Sequence, residues 1–136
     1  MAAYELIADT YLSVSTPVQV ALPDLLSRGA DVRRQIQDRT AANLRTLATA
    51  VAATPAVSLL DVEAGWSAVL QVPGYRSEEA LVVELLTHDH VLVHPGFFFD
   101  FAREAFLVVS LLTPPDRFEQ GIGRVLARSS HPGTAA

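Results

Sequence analysis

The first group in the sequence that could bind a metal ion consists of three histidines and an aspartate in one short stretch: His88, Asp89, His90 and His94. The last two have the i, i+4 spacing that brings imidazoles together on one face of a helix. Residues 91–93, which separate them, read Val-Leu-Val and favour a strand, where this spacing places the side chains about 13 Å apart. Because the sequence also has no cysteine, we interpret the histidines as solvated loop residues and predict no metal site.

Carboxylates and hydroxyls are the next candidates for acid–base or nucleophilic chemistry, but none of them lies in a catalytic motif. The possible carboxylate pairs are Asp61 with Glu63 and Asp100 with Glu104, and the possible nucleophiles are Ser13, Ser15 and Ser110. The pairs are typical of surface turns, and no Gly-x-Ser-x-Gly sequence surrounds a serine. The Gly-Ile-Gly at 121–123 falls within an amphipathic helix, so it predicts no phosphate-binding loop.

Lysine chemistry is absent because all ten basic residues are arginines. A Schiff base between a carbonyl compound and a lysine amine therefore cannot form on a side chain of this sequence. The abundance of alanine, arginine and valine agrees with codon bias in a GC-rich genome, which is the simplest origin of the pattern.

Composition narrows the protein class further. The 136 residues suffice for one domain with a substantial core, and 50% of them are hydrophobic, which argues against disorder. The net charge of −5 provides no basic patch for nucleic acid. We find no signal-peptide pattern and no apolar run long enough to span a bilayer, so we expect a cytoplasmic protein without nucleic-acid or membrane partners.

The pattern of apolar residues predicts an α+β fold in the element order ααββαββα. We expect a small mixed or antiparallel sheet of about four strands, covered by helices mainly on one face. The strands are predicted at 57–62, 66–72, 91–93 and 106–112, the first two as a hairpin. The predicted organisation is an extended leader or interface segment at 1–16, the domain at 17–128 and a frayed tail at 129–136.

Capping residues predict where the helices begin. Thr16 is expected to cap the first helix, with Pro17 at its first position and Gln19 closing a capping box, and Gly29 is expected to end it. Asp31 and Ser77 are expected to cap the next two helices. Arg39 and Asn43 lie at the margin of the apolar stripe of the second helix, where we expect them to have partners.

The last pair of predicted strands is joined by an unusual aromatic run, Phe97-Phe98-Phe99-Asp100-Phe101. Two interpretations stay open from the residues alone. The rings can enter the core, or they can form an apolar surface that meets another domain or chain.

Five stretches, in this order, resemble the C-terminal part of class I/II aminotransferases, which are pyridoxal-phosphate enzymes of fold type I. They are DTYLSVSTPVQ at 9–19, RTAANL at 39–44, GWSAVL at 65–70, VHPGFFFDF at 93–101 and LVVSL at 107–111. The resemblance covers nearly the whole sequence. It implies a small domain that packs on a larger, N-terminal domain, which holds pyridoxal phosphate and supplies the Schiff-base lysine.

The resemblance also implies a function, which depends on the larger domain because that domain would hold the cofactor and the lysine. The parent enzyme would transfer an amino group between an amino acid and a 2-oxo acid, as a homodimer. This chain alone would bind no cofactor and would be inactive. From other classes, the alternatives are a stand-alone module for dimerisation or partner binding, and a regulatory module that binds a small ligand.

The resemblance also implies site residues, each of which faces either the active site or a subunit interface. Those expected near the dimer interface are Tyr11, Ser13 and Ser15, and those expected at the substrate mouth are Gly96 and Phe97. Val108 occupies the position of the arginine that usually binds the substrate carboxylate. Arg103, nearby in the sequence, is the candidate to replace it.

Overall fold

The computed structural model describes residues 2–11 and 14–131, and the chain divides into two compact units, Met1–Gln35 and Ile36–Ala136. The described part contains five α-helices, four strands and one 3-10 helix. In chain order these elements are α1 (Ala2–Tyr11), α2 (Thr16–Arg28), α3 (Ala30–Ala52), β1 (Ser58–Leu59), β2 (Ser67–Gln71), α4 (Glu78–Asp89), β3 (His94–Pro95), the 3-10 helix Gly96–Phe99, β4 (Phe106–Ser110) and α5 (Pro115–Ser130). The predicted order is therefore confirmed, with one additional helix in front.

The first unit corrects the predicted leader, because residues 2–11 form a helix and not an extended segment. The cap of α2 also differs, since Ser15 and not Thr16 is the N-cap residue, and its side chain makes no capping hydrogen bond. Gln19 does not close a capping box: its Nε2 donates to the carbonyl oxygen of Val14 at 2.6 Å. Gly29 ends α2 as predicted. The prediction that Asp31 caps the next helix also differs from the structure, because α3 begins at Ala30 and Asp31 lies in its first turn.

The sheet of the second unit is antiparallel throughout, in the order β1-β2-β4-β3. The predicted hairpin is confirmed by the pairing of β1 with β2, and β4 is an interior strand, as its apolar sequence predicted. The strand predicted at 91–93 forms later, at His94–Pro95, on the edge of the sheet. An edge tolerates Pro95 because the nitrogen that lacks a hydrogen is not needed by a further strand.

One face of the sheet carries the hydrophobic core. Alternate residues of β2 and β4 point to this face, and they pack with buried residues of α3, α4 and α5. The strand residues are Ala68, Leu70, Leu107 and Val109, and the helix residues are Leu47, Leu81, Leu85, Phe118, Ile122, Val125 and Leu126. The prediction that helices cover mainly one face is confirmed.

A buried amide joins α3 to the chain that follows β4. Asn43 is 1% exposed, and its Nδ2 donates to the carbonyl oxygens of Leu111 at 2.9 Å and Thr113 at 2.8 Å. Arg39, one turn earlier, donates to the carbonyl oxygen of Leu112 at 3.4 Å. Arg39 and Asn43 therefore have partners, as expected, and these are three consecutive backbone carbonyl groups. The three groups follow the end of β4, so they take no part in its pairing with other strands.

Ion pairs connect α4 to α5 at the end of α4. Both guanidinium Nε and Nη2 of Arg128 donate to the carboxylate of Asp89, at 2.7 and 3.0 Å. Arg76 donates to the carboxylate of Glu84, and it also contacts the carbonyl oxygens at the end of α5. The hydrogen bond from Arg128, together with the positive charges of Arg128, His88 and Arg124, lowers the pKa of Asp89 against the opposing effect of burial.

This lowered pKa predicts a stability that depends on pH. A carboxylate with a lower pKa in the folded state stabilises the fold above its unfolded pKa of about 3.9, and this contribution is lost as the pH falls through the folded pKa. We expect the stability difference between the wild type and Asp89→Asn to be full above pH 5 and to shrink below pH 4. Urea unfolding at a series of pH values measures it, with the exposed Glu79→Gln as the control. A difference that is unchanged at pH 3 would contradict the assignment.

The final helix continues past the boundary predicted for the frayed tail. Ser129 and Ser130 belong to α5, and Ser129 is 2% exposed, so the tail prediction is wrong for these two residues. Residues 132–136 of the predicted tail lie outside the described part of the chain. Within the described ranges, no helix combines the length and hydropathy that crossing a membrane requires.

Candidate functional site

The face of the sheet opposite the helices forms the floor of the candidate site, and we call it the open face. Phe106 and Val108 of β4 point to it, and β2 places Val69 opposite Val108. From β3, His94 also pairs with Val108. Phe106 and Val108 are nevertheless buried, and the ring of Phe101 stacks on Phe106 with a centroid separation of 4.7 Å. The β4 residues of the open face are therefore apolar and covered within this chain, and the exposed His94 lies at its edge.

The aromatic turn, Gly96–Phe99, stands beside this face as a single turn of 3-10 helix. Phe97, Phe98 and Phe99 are 48%, 63% and 52% exposed, so these three side chains lie at the surface, whereas Phe101 is half-buried. That this surface meets another domain or chain stays a prediction. Phe97 and Phe98 meet edge to face at 4.8 Å, and the ring of His94 lies 6.2 Å from those of Phe98 and Phe99. Three phenylalanine rings and an imidazole thus form one exposed cluster.

A buried carboxylate holds the aromatic turn in place. Glu78, the first residue of α4, is 2% exposed, and its two oxygens accept hydrogen bonds from the backbone N–H groups of Phe97 at 2.8 Å and Phe106 at 2.7 Å. Ser77 caps the same helix as predicted, accepting from the N–H of Ala80 at 3.2 Å. The positive end of α4 and the two N–H groups together stabilise the carboxylate. One side chain therefore fixes both the aromatic turn, at Phe97, and the start of β4, at Phe106.

Arg103 brings a positive charge to the open face. Its guanidinium carbon lies 5.5 Å from the centroid of the Phe106 ring, a cation–π geometry. The loop reaches this position through left-handed backbone at Asp100 (φ 55°) and Ala105 (φ 88°). Arg103 is exposed, and it has no hydrogen bond or ion pair with any described residue. Its planar set of donors is therefore free for an external anion.

Of the residues predicted from the resemblance, four lie on β4 or between β3 and β4, namely Gly96, Phe97, Arg103 and Val108. Ser15 lies in the first unit, where it is exposed at the start of α2. Tyr11 ends α1, but its side chain is not described, and Ser13 lies outside the described residues.

Glu78 is the residue of this region that the sequence did not indicate. By sequence alone, Glu78 and its neighbour Glu79 are equivalent, since both are favourable charges in the first turn of α4. Glu79 is exposed whereas Glu78 is buried, and no local feature of the sequence distinguishes the two. Only the return of the chain at Phe97 and Phe106 determines which carboxylate is enclosed.

The other candidates for chemistry remain dispersed. Asp89 is engaged by Arg128, and the carboxylates Asp61, Glu63, Asp100 and Glu104 are exposed. Within the part of the chain that the structure covers, no three histidine or acidic side chains come together as a metal site.

Comparison with known proteins finds similarity at the level of structure. No protein-family model matches the sequence, and no curated protein matches it. Among solved structures, an aromatic aminotransferase from Pyrococcus horikoshii OT3 is similar with a TM-score of 0.58 and 14% sequence identity. At this low sequence identity, the similarity to the aminotransferase shows a shared fold. It covers 75% of this chain and 26% of the aminotransferase chain, so the present chain corresponds to about a quarter of that protein.

Proposed function

We propose that this chain is the small domain of a pyridoxal-phosphate-dependent aminotransferase, whose activity transfers an amino group between an amino acid and a 2-oxo acid. The observation that carries the proposal is the structural similarity over 75% of this chain to part of an aminotransferase. The five sequence stretches that resemble this enzyme class, in the order expected, support it independently. An unrelated α+β domain would share the layers of the fold without sharing this order of stretches.

The residues of this chain do not by themselves fit a pyridoxal-phosphate site. The cofactor is attached through a Schiff base with a lysine amine, and every basic residue here is an arginine. We therefore assign the Schiff-base lysine to a larger domain and attribute no cofactor chemistry to this chain. Its residues are proposed to bind and orient the substrate.

The open face and the aromatic turn are the parts proposed to face the substrate. The exposed rings of Phe97, Phe98 and Phe99 would supply an apolar wall, held rigidly by Glu78. We assign binding of the substrate carboxylate to Arg103. It would replace the arginine that this enzyme class usually has at the position of Val108. The guanidinium suits a carboxylate because it donates two parallel hydrogen bonds, and the ring of Phe106 fixes its position.

Each of the two units has exposed apolar residues, and we interpret them as surfaces that another domain covers. In the first unit, α2 has no buried residue, and Val20 and Leu25 are 77% and 56% exposed. In the second unit, Trp66 is 61% exposed in addition to the aromatic turn. Surfaces of this kind mark interaction sites, and a larger domain of the same enzyme is the partner we propose. A homodimer of the whole enzyme is part of the same proposal.

The proposal is tested by the mass and activity of the native polypeptide. An antibody against the 136-residue chain should detect a polypeptide roughly three times larger in the source cells, as expected for an enzyme with domains of about 100–200 residues. The purified polypeptide should transfer amino groups to a 2-oxo acid, whereas the 136-residue chain should not. In the larger polypeptide, Arg103→Gln should raise KM for the amino acid about tenfold with little change in kcat.

Arg45→Gln provides the matched control, since Arg45 is an exposed arginine of the same unit away from the open face. A band at the mass of the 136-residue chain would overturn the domain proposal and favour the stand-alone binding module. A KM that responds equally to both variants would overturn only the role of Arg103.

A further inference from the structure

A second region of the Ile36–Ala136 unit has the features of a binding site. A cavity of about 340 Å³ lies at the edge of the sheet, between α5 and the segment that leads into β3. Strand β3 pairs with β4 only at His94 and Pro95, and the ladder does not continue to residues 91–93. These residues line the cavity, together with Val109 and Ser110 of β4. The volume lies in the lower part of the range of small-ligand sites.

The lining of this edge cavity combines an apolar floor with basic groups. Val93, Val109 and Ile122 are buried and belong to the hydrophobic core. Among the fourteen described residues that line the cavity, those with ionisable side chains are His90, Arg117 and Arg124, and none is acidic. This local excess of basic groups contrasts with the net charge of −5 of the whole chain. The cavity therefore favours an anion over a cation or a neutral molecule.

The two arginines are held differently. Arg124 donates from Nη1 to the carbonyl oxygen of Asp89 at 2.8 Å, which fixes its guanidinium at the rim. Arg117 is exposed and has neither a hydrogen bond nor an ion pair with any residue that the structure describes. The two residues are seven positions apart, about 10 Å along the axis of α5. Arg124 already donates to a backbone carbonyl group, whereas the donors of Arg117 are available to a bound carboxylate.

We propose that the edge cavity binds a small amphipathic monocarboxylate. Its carboxylate accepts hydrogen bonds from Arg117, and its hydrocarbon part covers the floor formed by Val93, Val109 and Ile122. Arg124 adds a favourable field at the rim. The aromatic turn and Arg103 do not line this cavity, so the inference does not depend on the proposed aminotransferase function.

The test is a titration of the 15N-labelled 136-residue chain with hexanoate, followed by NMR. We expect saturable shifts of the amides of residues 91–93 and 117–125, and no such binding of hexylamine or hexan-1-ol. Arg117→Gln should weaken hexanoate binding about tenfold, which corresponds to about 1.4 kcal/mol, because it removes a charge-assisted hydrogen bond to the carboxylate. Arg124→Gln should weaken it less, and Arg45→Gln, which changes an exposed arginine outside the cavity, should leave it unchanged.

Two glycines of α5 provide a second, matched pair of variants. Gly121 lines the cavity, and a Cβ there would lie 3.9 Å from Val91, whereas Gly123 faces open space. Gly121→Leu should abolish hexanoate binding by filling the cavity, and Gly123→Leu should retain it. Absence of saturable shifts, equal binding of hexan-1-ol, or equal effects of Arg117→Gln and Arg45→Gln would each overturn the proposal. If Gly121→Leu did not fold, the comparison of the arginine variants would still decide it.

Discussion

Replacing Asn43 with leucine is expected to lower the free energy of unfolding by about 3 kcal/mol, since it leaves two carbonyl groups without a donor. The side-chain amide is 1% exposed and donates to the carbonyl oxygens of Leu111 and Thr113. Leucine has nearly the same size, so packing changes little while both hydrogen bonds are lost. Each unsatisfied buried group costs about 1–3 kcal/mol, and small domains have only about 5–15 kcal/mol in total.

Urea unfolding of paired variants measures this effect. The matched control is Gln37→Leu, which changes an exposed amide to leucine on the same helix. A third variant, Asn43→Asp, keeps the shape of the side chain but turns acceptor oxygens toward the two carbonyl groups, so it should destabilise the chain at least as strongly. Equal stabilities of Asn43→Leu and Gln37→Leu would show that the amide does not join α3 to the end of β4.

The sequence predicted the layers of the fold because hydrophobic spacing is a local property. Ser77 could be recognised as a helix cap, and 106–112 as a buried strand, since each carries its signal within a few residues. The strand expected at 91–93 formed at 94–95 instead, because the left-handed turn at His90 and the pairing of His94 with Val108 set the register. Register depends on partners distant in sequence, which local spacing does not determine.

The leader was mispredicted for a related reason. Residues 2–11 are helical although several of their apolar side chains, including Tyr4 and Ile7, are exposed. The sequence prediction was an extended leader or interface segment at 1–16, because the pattern of residues 2–11 gave no strong helical signal. The helical backbone and the exposed apolar surface are separate properties, and only the second suggests a partner.

Some residues of the candidate site could be named from the sequence, but the contacts that hold them in place could not be predicted. The aromatic run required an explanation from the residues alone, whereas Arg103 became a candidate only through the family resemblance. The role of Glu78 could not be predicted from the sequence, because it depends on hydrogen bonds from Phe97 and Phe106, which lie 19 and 28 positions away. A carboxylate whose partners are backbone N–H groups leaves no complementary side chain in the sequence.

Replacing Gly96 with alanine is expected to lower the free energy of unfolding by about 2–3 kcal/mol and to release the aromatic turn. A Cβ at this position would lie 2.7 Å from the Cβ of Phe106, 2.9 Å from Oε1 of Glu78 and 3.2 Å from a ring carbon of Phe101. The Cβ of Phe106 is fixed by the backbone of β4, and both oxygens of Glu78 are engaged by N–H groups. The clash therefore cannot be relieved by rotation of one flexible side chain.

Amide hydrogen exchange distinguishes loss of the turn from general destabilisation. In Gly96→Ala, the N–H groups of Phe97 and Phe106 should exchange faster than can be explained by the change in global stability, because their acceptor Glu78 is displaced. Gly74→Ala is the matched control, since a Cβ at Gly74 meets no atom within 4 Å, and its exchange pattern should remain that of the wild type. If Gly96→Ala retained protection at Phe97 and Phe106, the clash would be relieved without displacing Glu78. Gly96 would then not be required for the hydrogen bonds that hold the aromatic turn.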